Sequence, residues 1–346
     1  MNTLGYLFWN VVRPNPTLDK IWMWSKQNTP LPTLLNLLHP YPTGIEMEIT
    51  TKCGLKCIMC EHTYWKEPAR DMTFEQFTSI IDQFPNLRWI GLTGIGEGSL
   101  HKDWNRMLWY LDQKDIQIEF FDTLNFVDEE DLKVWTDLGI WLLWLSIDAA
   151  TKSMYEKVRV GGDYWKVIRN AQKLFELKDK RTTIWFHYIV NKHNIDEMLQ
   201  FVDLVDNLRQ GWDTTIQFTR ILHGFKEIED LYVELPKELR QEVEERGKEK
   251  GIGIVWNADV PEKKPSMKKC LEFFEPFIFA SGHVIPCCAG NEANRRDFQK
   301  DTALGNIHET PFKEIWNGER YVQLRRMLRQ GKIPPPCVKC PIYERG

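Results

Sequence analysis

The sequence lacks a long hydrophobic run, an excess of charge of one sign and a secretion signal. Its longest nearly pure apolar stretch, 138–147, falls well short of the ~20 residues of a transmembrane helix. The formal net charge of −4, over 346 residues of which 27% are charged, argues against a nucleic-acid-binding surface. The first residues show no basic segment followed by a small-residue cleavage site. We therefore predict a soluble, cytoplasmic protein without a nucleic-acid partner.

What the sequence does contain is eight cysteines in two groups. Three of them, Cys53, Cys57 and Cys60, fall within eight residues, and the others follow residue 265: Cys270, Cys287, Cys288, Cys337 and Cys340. In a reducing cytoplasm such groups indicate metal or cluster binding more often than disulfides. The distance between the groups corresponds to one large domain, in line with the two domains expected for this chain length.

Strand-like and helix-like segments alternate between the two cysteine groups. Strands are predicted over 45–50, 88–93, 116–121, 141–147, 183–190 and 215–219. Helices are predicted over 73–84, 102–113, 129–137, 164–177 and 195–208. Six such units predict an α/β fold, a partial (β/α)6 TIM-like barrel, because a closed barrel needs eight.

The predicted domain organisation has four parts. An N-terminal extension covers 1–43, the partial barrel 44–225, a connector with a charged helix 226–264, and a small cysteine-rich domain 265–346. The extension is rich in large apolar residues: Trp9, Trp22, Trp24, Leu34, Leu35, Leu37 and Leu38. We expect them to cover the open side of the barrel; contact with a membrane surface is the less favoured alternative.

The first cysteine group follows the first predicted strand, where the carboxyl ends of parallel strands place ligands. A structural zinc site needs four protein ligands, and His62 is the only nearby candidate for the fourth. Three thiolates on a four-iron cubane instead leave one iron open to a non-protein ligand. The spacing therefore favours a cluster that holds a small molecule.

This cysteine motif resembles the signature of the radical S-adenosylmethionine (SAM) superfamily. Residues 53–60 read Cys-Gly-Leu-Lys-Cys-Ile-Met-Cys, directly after strand one. The resemblance implies a [4Fe–4S] cluster on Cys53, Cys57 and Cys60, with SAM on its open iron. It also implies that Met59 packs on the adenine ring, although a plain core methionine fits the sequence as well.

Further segments resemble the SAM-binding stretches of the same superfamily. Residues 93–98 are similar to its Gly-rich stretch, with Ile95 in place of one glycine, and residues 146–148 to its Ser-Ile-Asp segment. The resemblance implies that these stretches and an arginine and an asparagine downstream bind SAM: Gly94, Gly96, Glu97, Ser146, Asp148, Arg159 and Asn191. A Gly-rich turn, a helix cap and a surface arginine are the structural alternatives.

The second cysteine group resembles a SPASM or twitch domain. Cys270, eleven residues, Gly282, four residues and Cys287 match its opening, and Cys337 and Cys340 form a final pair. The resemblance implies one auxiliary [4Fe–4S] cluster on Cys270, Cys287, Cys337 and Cys340, with a structural zinc site as the alternative. Cys288 is surplus: it is inert, exchanges with its neighbour as ligand, or donates a hydrogen atom as in epimerases of the superfamily.

The resemblance implies an enzyme that reductively cleaves SAM to a 5′-deoxyadenosyl radical and takes hydrogen from a substrate C–H bond. The 43 residues before the first strand are shorter than the leader-binding domain that peptide-modifying relatives often carry. This weakens the peptide alternative, and superfamily members with a single auxiliary cluster include sugar and aminocyclitol dehydrogenases and epimerases. The resemblance therefore favours oxidation or epimerisation of a small polar metabolite, such as a sugar or aminocyclitol, with reduced flavodoxin or ferredoxin as electron donor. A peptide maturase and a lipid-modifying enzyme are alternatives, and a zinc-stapled, non-catalytic α/β binding protein is the alternative of another class.

Overall fold

Ten strands of the computed structural model form one sheet. Their order is β12 (Gly305–Asn306), β11 (His283–Ile285), β10 (Phe277–Ile278), β1 (Gly44–Met47), β3 (Trp89–Leu92), β4 (Gln117–Asp122), β5 (Leu142–Ser146), β7 (Ile184–Val190), β8 (Thr215–Arg220) and β9 (Gly253–Asn257). The structure describes residues 16–64, 66–221, 225–257, 265–288, 295–338, 340 and 342–343. All neighbouring strands from β10 to β9 are parallel, whereas β10–β11 and β11–β12 are antiparallel. A mostly parallel sheet with helices between its strands confirms the predicted α/β class.

The strands are β1 (Gly44–Met47), β2 (Lys56–Cys57), β3 (Trp89–Leu92), β4 (Gln117–Asp122), β5 (Leu142–Ser146), β6 (Arg159–Val160), β7 (Ile184–Val190), β8 (Thr215–Arg220), β9 (Gly253–Asn257), β10 (Phe277–Ile278), β11 (His283–Ile285) and β12 (Gly305–Asn306). The α-helices are α1 (Pro16–Asn28), α2 (Leu31–Leu38), α3 (Glu61–Tyr64), α4 (Phe74–Ile81), α5 (Trp104–Asp112), α6 (Glu129–Leu138), α7 (Lys152–Val158), α8 (Tyr164–Leu177), α9 (Met198–Leu208), α10 (Lys237–Lys250), α11 (Arg296–Asp301), α12 (Phe312–Asn317) and α13 (Glu319–Gln330). Short 3₁₀ helices span Gly98–Leu100, Ile195–Glu197, Lys226–Leu231, Met267–Lys269, Glu272–Phe274 and Pro335–Cys337.

The two faces of the sheet differ in composition. Strand residues that alternate with period two place their aliphatic members against the helices, and this outer side is the main core. Glu46 in β1, Trp89 in β3, Phe121 in β4 and His187 in β7 stand at the other parity of their strands. We call that side the inner face. It corresponds to the interior of the partial barrel.

The parallel part of the sheet has two more strands than the six predicted from the sequence: β10 beside β1 and β9 beside β8. Strand β9 pairs with β8, with Thr215 opposite Gly253, so part of the predicted connector belongs to the sheet. Helix α10 packs directly on β9, because a Cβ on Gly247 would lie 2.4 Å from Ile254. The helix buries only Val243 and Gly247, which explains why its charged sequence resembles a fully solvated helix.

The C-terminal region continues the barrel sheet at the edge of β1. Glu46 lies opposite Phe277 in the parallel β1–β10 pair. The N-terminal helices pack on this region: Lys26 forms an ion pair with Glu272, and Arg329 Nη1 donates to Asn36 Oδ1 at 2.6 Å. These contacts of α1 and α2 are with the C-terminal region, in contrast to the expected cover of the open barrel side.

Several apolar residues of the N-terminal helices face solvent, among them Trp24, Leu37 and Leu38. Trp9 lies outside the described residues. Within the described part of the chain, no helix combines the length and the apolar character needed to span a bilayer.

Candidate functional site

The first cysteine group lies on a loop that is held by a short two-stranded sheet. After β1 the chain enters β2, which pairs antiparallel with β6 so that Cys57 lies opposite Arg159. The Ile58 amide donates to the Val158 carbonyl at 3.0 Å, and the Cys60 amide donates to the Cys57 carbonyl at 3.1 Å. The three cysteines are thereby brought together and fixed against the segment that contains Arg159.

Apolar residues surround the cysteine loop. Cys57 and Met59 are buried with Leu55 and Val158, and Cys53 and Cys60 pack against the same cluster. Burial raises the pKa of Cys53 and of Cys60 to about 12. It also raises the pKa of Cys57, which the nearby Arg159 charge lowers in part.

The donor set fits an iron–sulfur cluster. Three desolvated thiols on one short loop need a cationic partner to be stable as thiolates, and the irons of a cluster supply that charge. Across the described residues, no group of three or more His, Cys, Asp or Glu side chains is arranged to hold a single metal ion. His62 is buried in α3, and burial followed by the charge of Lys56 lowers its pKa.

The Gly-rich loop after β3 lies directly against the start of the cysteine loop. The Glu97 amide donates to the Lys52 carbonyl at 2.7 Å. A Cβ on Gly96 would lie 2.3 Å from the Thr50 carbonyl oxygen, and a Cβ on Gly94 would lie 2.6 Å from Glu48 Cγ. Backbone therefore meets backbone at Gly96, and no side chain fits there.

Glu97 is buried and its carboxylate is oriented. Its Oε1 accepts hydrogen bonds from the Thr123 amide at 2.7 Å and from Thr123 Oγ1 at 2.8 Å. Burial raises the pKa of Glu97, and burial together with the Glu97 charge raises the pKa of Asp122 well above its usual range. The Glu97 charge also raises the pKa of Cys53, which places the carboxylate close to the cysteine loop.

The segment after β5 contains a second anionic group. Ser146 is the last residue of β5, and Asp148 is fully buried with a left-handed backbone, φ 60°. Asp148 Oδ1 accepts from the Ile189 amide at 2.6 Å, and its Oδ2 lies 2.6 Å from Arg159 Nη2. Burial raises the pKa of Asp148, and the Arg159 charge opposes this effect.

Arg159 connects the two groups. While Nη2 pairs with Asp148, Nη1 donates to Cys57 Sγ at 3.7 Å. The resemblance implied that Arg159 binds SAM; the structure places its guanidinium between Asp148 and Cys57, a cysteine of the predicted cluster. Asn191 is buried nearby, with its Oδ1 accepting from the His193 amide and its Nδ2 donating to the Ile189 carbonyl. Its side chain thus forms a local turn.

The structure brings four cysteines of the second group together and places the fifth, Cys288, elsewhere. Cys270, Cys287, Cys337 and Cys340 line one cavity. Burial raises the pKa of Cys270 and Cys337 well above the usual range, and charges of the other cysteines in the cavity contribute. Four soft thiolate donors around one cavity fit a fully ligated cluster.

Cys288 belongs to a different environment from its neighbour Cys287. It packs against a small cluster formed by Phe277, Phe279, Ile285 and Ala303. Phe277 lies opposite Glu46, so this cluster is on the inner face of the sheet. The sequence predicted a spare thiol; its location on the inner face depends on strand register.

Sequence reasoning missed a buried ion pair that joins the barrel to the C-terminal region. Glu48 Oε2 lies 2.6 Å from Arg296 Nη2 and accepts the Ile95 amide at 3.1 Å. Both charged side chains are buried, and the Arg296 guanidinium lies 3.8 Å from the centre of the Phe279 ring. An acidic residue directly after β1, at the inner parity of that strand, was the only available signal, since its partner is 248 residues away.

Two family models match the chain. Residues 47–205 match the model described as the radical SAM superfamily, and residues 270–341 match SPASM, described as an iron-sulfur cluster-binding domain. Together the matches include every cysteine of both groups.

Two curated relatives are similar to the chain over most of their length. The chain is 22% identical over 314 residues to the tungsten-containing aldehyde ferredoxin oxidoreductase cofactor-modifying protein of Pyrococcus furiosus, covering 86% of this chain and 87% of the relative. It is 24% identical over 314 residues to the sporulation killing factor maturation protein SkfB of Bacillus subtilis, covering 88% of this chain and 72% of the relative. The solved structure of Streptococcus suis SuiB bound to S-adenosylmethionine shares the fold, with a TM-score of 0.69 over 91% of this chain and 79% of that chain at 14% identity.

Proposed function

Because the chain belongs to the radical SAM superfamily and carries a SPASM domain, we propose that it is a modifying enzyme that oxidises an organic substrate after removing hydrogen from one of its C–H bonds. As a member of this superfamily it is a radical SAM enzyme, which uses SAM, a [4Fe–4S] cluster and an auxiliary iron–sulfur cluster. This membership overturns the zinc-stapled, non-catalytic alternative.

The bound cofactors supply the radical chemistry, and the protein supplies ligation, orientation and exclusion of water. We assign the first three cysteines to the SAM-binding cluster: Cys53, Cys57 and Cys60. The Gly-rich loop receives the amino group of SAM through its backbone and through Glu97, whose buried carboxylate is suited to an ammonium. We assign Ser146, at the end of β5, to the ribose hydroxyls, and Met59 to the apolar surface around the cofactor. Asp148 is fully buried with both carboxylate oxygens engaged, so we assign it to holding Arg159 rather than to direct contact with SAM.

The observation that carries the oxidative outcome is the cavity with four cysteines. A cluster with four thiolates has no open iron, so electron transfer suits it better than substrate binding. We therefore assign Cys270, Cys287, Cys337 and Cys340 to an auxiliary cluster, which would supply an electron acceptor for the oxidation. Reduced flavodoxin or ferredoxin provides the electron that starts the reaction.

Epimerisation is the second candidate, because Cys288 packs on the inner face beside Phe277 and Phe279. A thiol there is on the substrate side of the sheet, where it could return a hydrogen atom. Replacement by alanine separates the two outcomes. Loss of product with continued SAM cleavage supports epimerisation, and unchanged turnover supports oxidation.

The substrate class is drawn from the relatives. Their names describe proteins that modify a cofactor of a tungsten enzyme and that mature a sporulation killing factor. We therefore propose modification of a cofactor or a peptide ahead of the sugar or aminocyclitol favoured by sequence alone.

Anaerobic reconstitution tests the assignment. The wild type is expected to bind about eight irons per chain, as two four-iron clusters require, and to release 5′-deoxyadenosine from SAM on reduction with dithionite. A variant with alanine at Cys53, Cys57 and Cys60 should keep about four irons per chain. It should release no 5′-deoxyadenosine from SAM. Cys288→Ala is the matched control and should keep the full iron content. Zinc without iron, or SAM cleavage by the triple variant, would contradict the proposal.

A further inference from the structure

The inner face of the sheet has an unusual composition for the interior of a barrel. The interior of a closed (β/α)8 barrel is filled mostly by branched aliphatic side chains. Here aromatic and polar residues hold most inner positions of β4, β5 and β7, and Leu142 and Ile189 are the aliphatic residues among them. Phe121, Trp185 and His187 remain partly exposed, so solvent reaches this face.

Four inner-face residues form a continuous aromatic surface. The Phe121 and Trp144 rings are stacked, with centres 5.3 Å apart and planes 6° apart. Trp185 meets Trp144 edge-on at 5.1 Å, and His187 meets Phe121 edge-on at 5.3 Å. We call these four residues the aromatic floor.

The aromatic floor adjoins the proposed SAM site. His187 lies opposite Ser146 in the β5–β7 pair, and the amide two residues further on, at Ile189, donates to Asp148. His187 Nε2 lies 3.1 Å from Thr219 Oγ1, which fixes the imidazole. A group resting on the floor would therefore be next to the residues assigned to the cofactor.

The charge of this face is negative. Glu119 accepts hydrogen bonds from Trp89 Nε1 at 2.9 Å and from Trp144 Nε1 at 2.7 Å, so its carboxylate is fixed beside the floor. Burial lowers the pKa of His187 to about 3, and the imidazole is uncharged at neutral pH. In the described strands β1, β3, β4, β5, β7, β8 and β9, no lysine or arginine stands at an inner position.

The arginines next to the proposed cofactor site do not change this balance. Arg159 is paired with Asp148 and Arg296 with Glu48, and all four side chains are buried. Each guanidinium is thus compensated by a carboxylate. An anionic substrate group would meet no uncompensated cation among these residues.

We propose that the aromatic floor, with Glu119 beside it, binds a cationic part of the substrate, an amine or guanidinium carried on an apolar or flat body. Indole and phenyl faces attract cations and bury apolar surface, and the neighbouring carboxylate adds charge complementarity. This assignment rests on the proposed function and narrows its substrate to organic cations. Phosphorylated or carboxylate groups are excluded from this position.

Three indole probes of nearly equal shape test the proposal without any variant: tryptamine (cationic), tryptophol (neutral) and indole-3-acetate (anionic). Calorimetric titration of the reconstituted, SAM-bound enzyme should rank them in that order. Tryptamine should bind at least about ten-fold more tightly than indole-3-acetate. Equal affinity, the reverse order or no binding of any probe would overturn the proposal.

Variants then identify the residues responsible. In Glu119→Gln the preference for tryptamine should fall to within about two-fold, because the charge is lost. Trp144→Phe keeps that charge and should keep the preference while weakening all three probes. Glu130→Gln removes an exposed carboxylate on α6 and is the matched control that should change nothing. Iron content and SAM cleavage of the same wild-type preparation test the proposed function separately.

Discussion

Arg159 offers a direct test of how this protein adjusts its SAM-binding cluster. Its Nη1 donates to Cys57 Sγ at 3.7 Å, while its Nη2 pairs with Asp148 at 2.6 Å. Both charged side chains are buried, so water screens the interaction little. A positive charge beside a ligand of the proposed cluster stabilises the reduced, more negative state. Replacement of Arg159 by glutamine should therefore make the cluster harder to reduce.

The size of the effect follows from the distances. Two unit charges 3.7 Å apart interact by about 4.5 kcal/mol at an effective dielectric constant of about 20. Asp148 opposes this charge from 2.6 Å, and we take about a third, roughly 1.4 kcal/mol, as the net effect at the sulfur. For a one-electron couple this free energy is a tenfold change in the equilibrium constant, or ~60 mV.

Potentiometric titration followed by electron paramagnetic resonance measures the midpoint potential directly. Arg159→Gln should lower it by ~60 mV, and Asp148→Asn should raise it, because the guanidinium then loses its counter-charge. Arg159→Lys keeps the charge and is the control with the smallest shift. Shifts of the same sign in Arg159→Gln and Asp148→Asn, at equal iron content, would refute the electrostatic reasoning.

Three further predictions follow from other contacts. Gly96→Ala should abolish SAM binding measured by calorimetry, because its Cβ would lie 2.3 Å from a carbonyl oxygen. Gly98→Ala is the control and should weaken SAM binding less, because its Cβ would meet only an indole ring at 3.0 Å. Equal losses of SAM affinity in the two variants would contradict this reasoning. Glu48→Gln should lower the free energy of unfolding in urea by about 3 kcal/mol, because it removes the buried carboxylate that pairs with the Arg296 guanidinium. The double variant Glu48→Gln/Arg296→Met should lose less stability than the sum of the two single variants. Additive losses would show that the pair is not coupled. The pKa of His187 is about 3 in the folded chain and near 6.5 when unfolded, so its contribution to stability is full above pH 6.5 and is lost as the pH falls toward 3. Between pH 6 and 5, metal-free wild type should therefore lose about 1 kcal/mol that His187→Asn does not lose, and parallel urea-unfolding profiles would disprove the assignment.

The repeating part of the fold was predictable because its signals are local. Period-two strands and helices with one apolar face are recognisable within a dozen residues, and predicted helix 164–177 agrees with α8 (Tyr164–Leu177). Strand β9 was missed because it is an edge strand that follows a helix with almost no apolar face. Its pairing with β8 is a tertiary contact, which a local pattern does not report.

The candidate site was likewise predictable only where its signals are local in the sequence. Cys53, Cys57 and Cys60 were identifiable because their spacing is itself the signal. The roles of Glu48 and His187 were not, since each depends on side chains brought in from other strands or from the C-terminal region. A lone inward-facing Glu or His in a strand has no distinguishing sequence pattern.

The register of one strand pair connects the two cysteine groups. Strand β1 leads into the loop with Cys53, β10 leads by way of the β11 hairpin to Cys287, and Met47 lies opposite Ile278 where the strands pair. Beyond this pair the Glu48 carboxylate accepts the Ala280 amide at 3.4 Å and binds Arg296, so the Gly-rich loop and the C-terminal region share one buried anion. A change at either proposed cluster that shifts β1 relative to β10 must disturb this carboxylate and, through the Ile95 amide, the loop assigned to SAM. The Glu48 carboxylate is thus one contact that the surroundings of the two proposed clusters share.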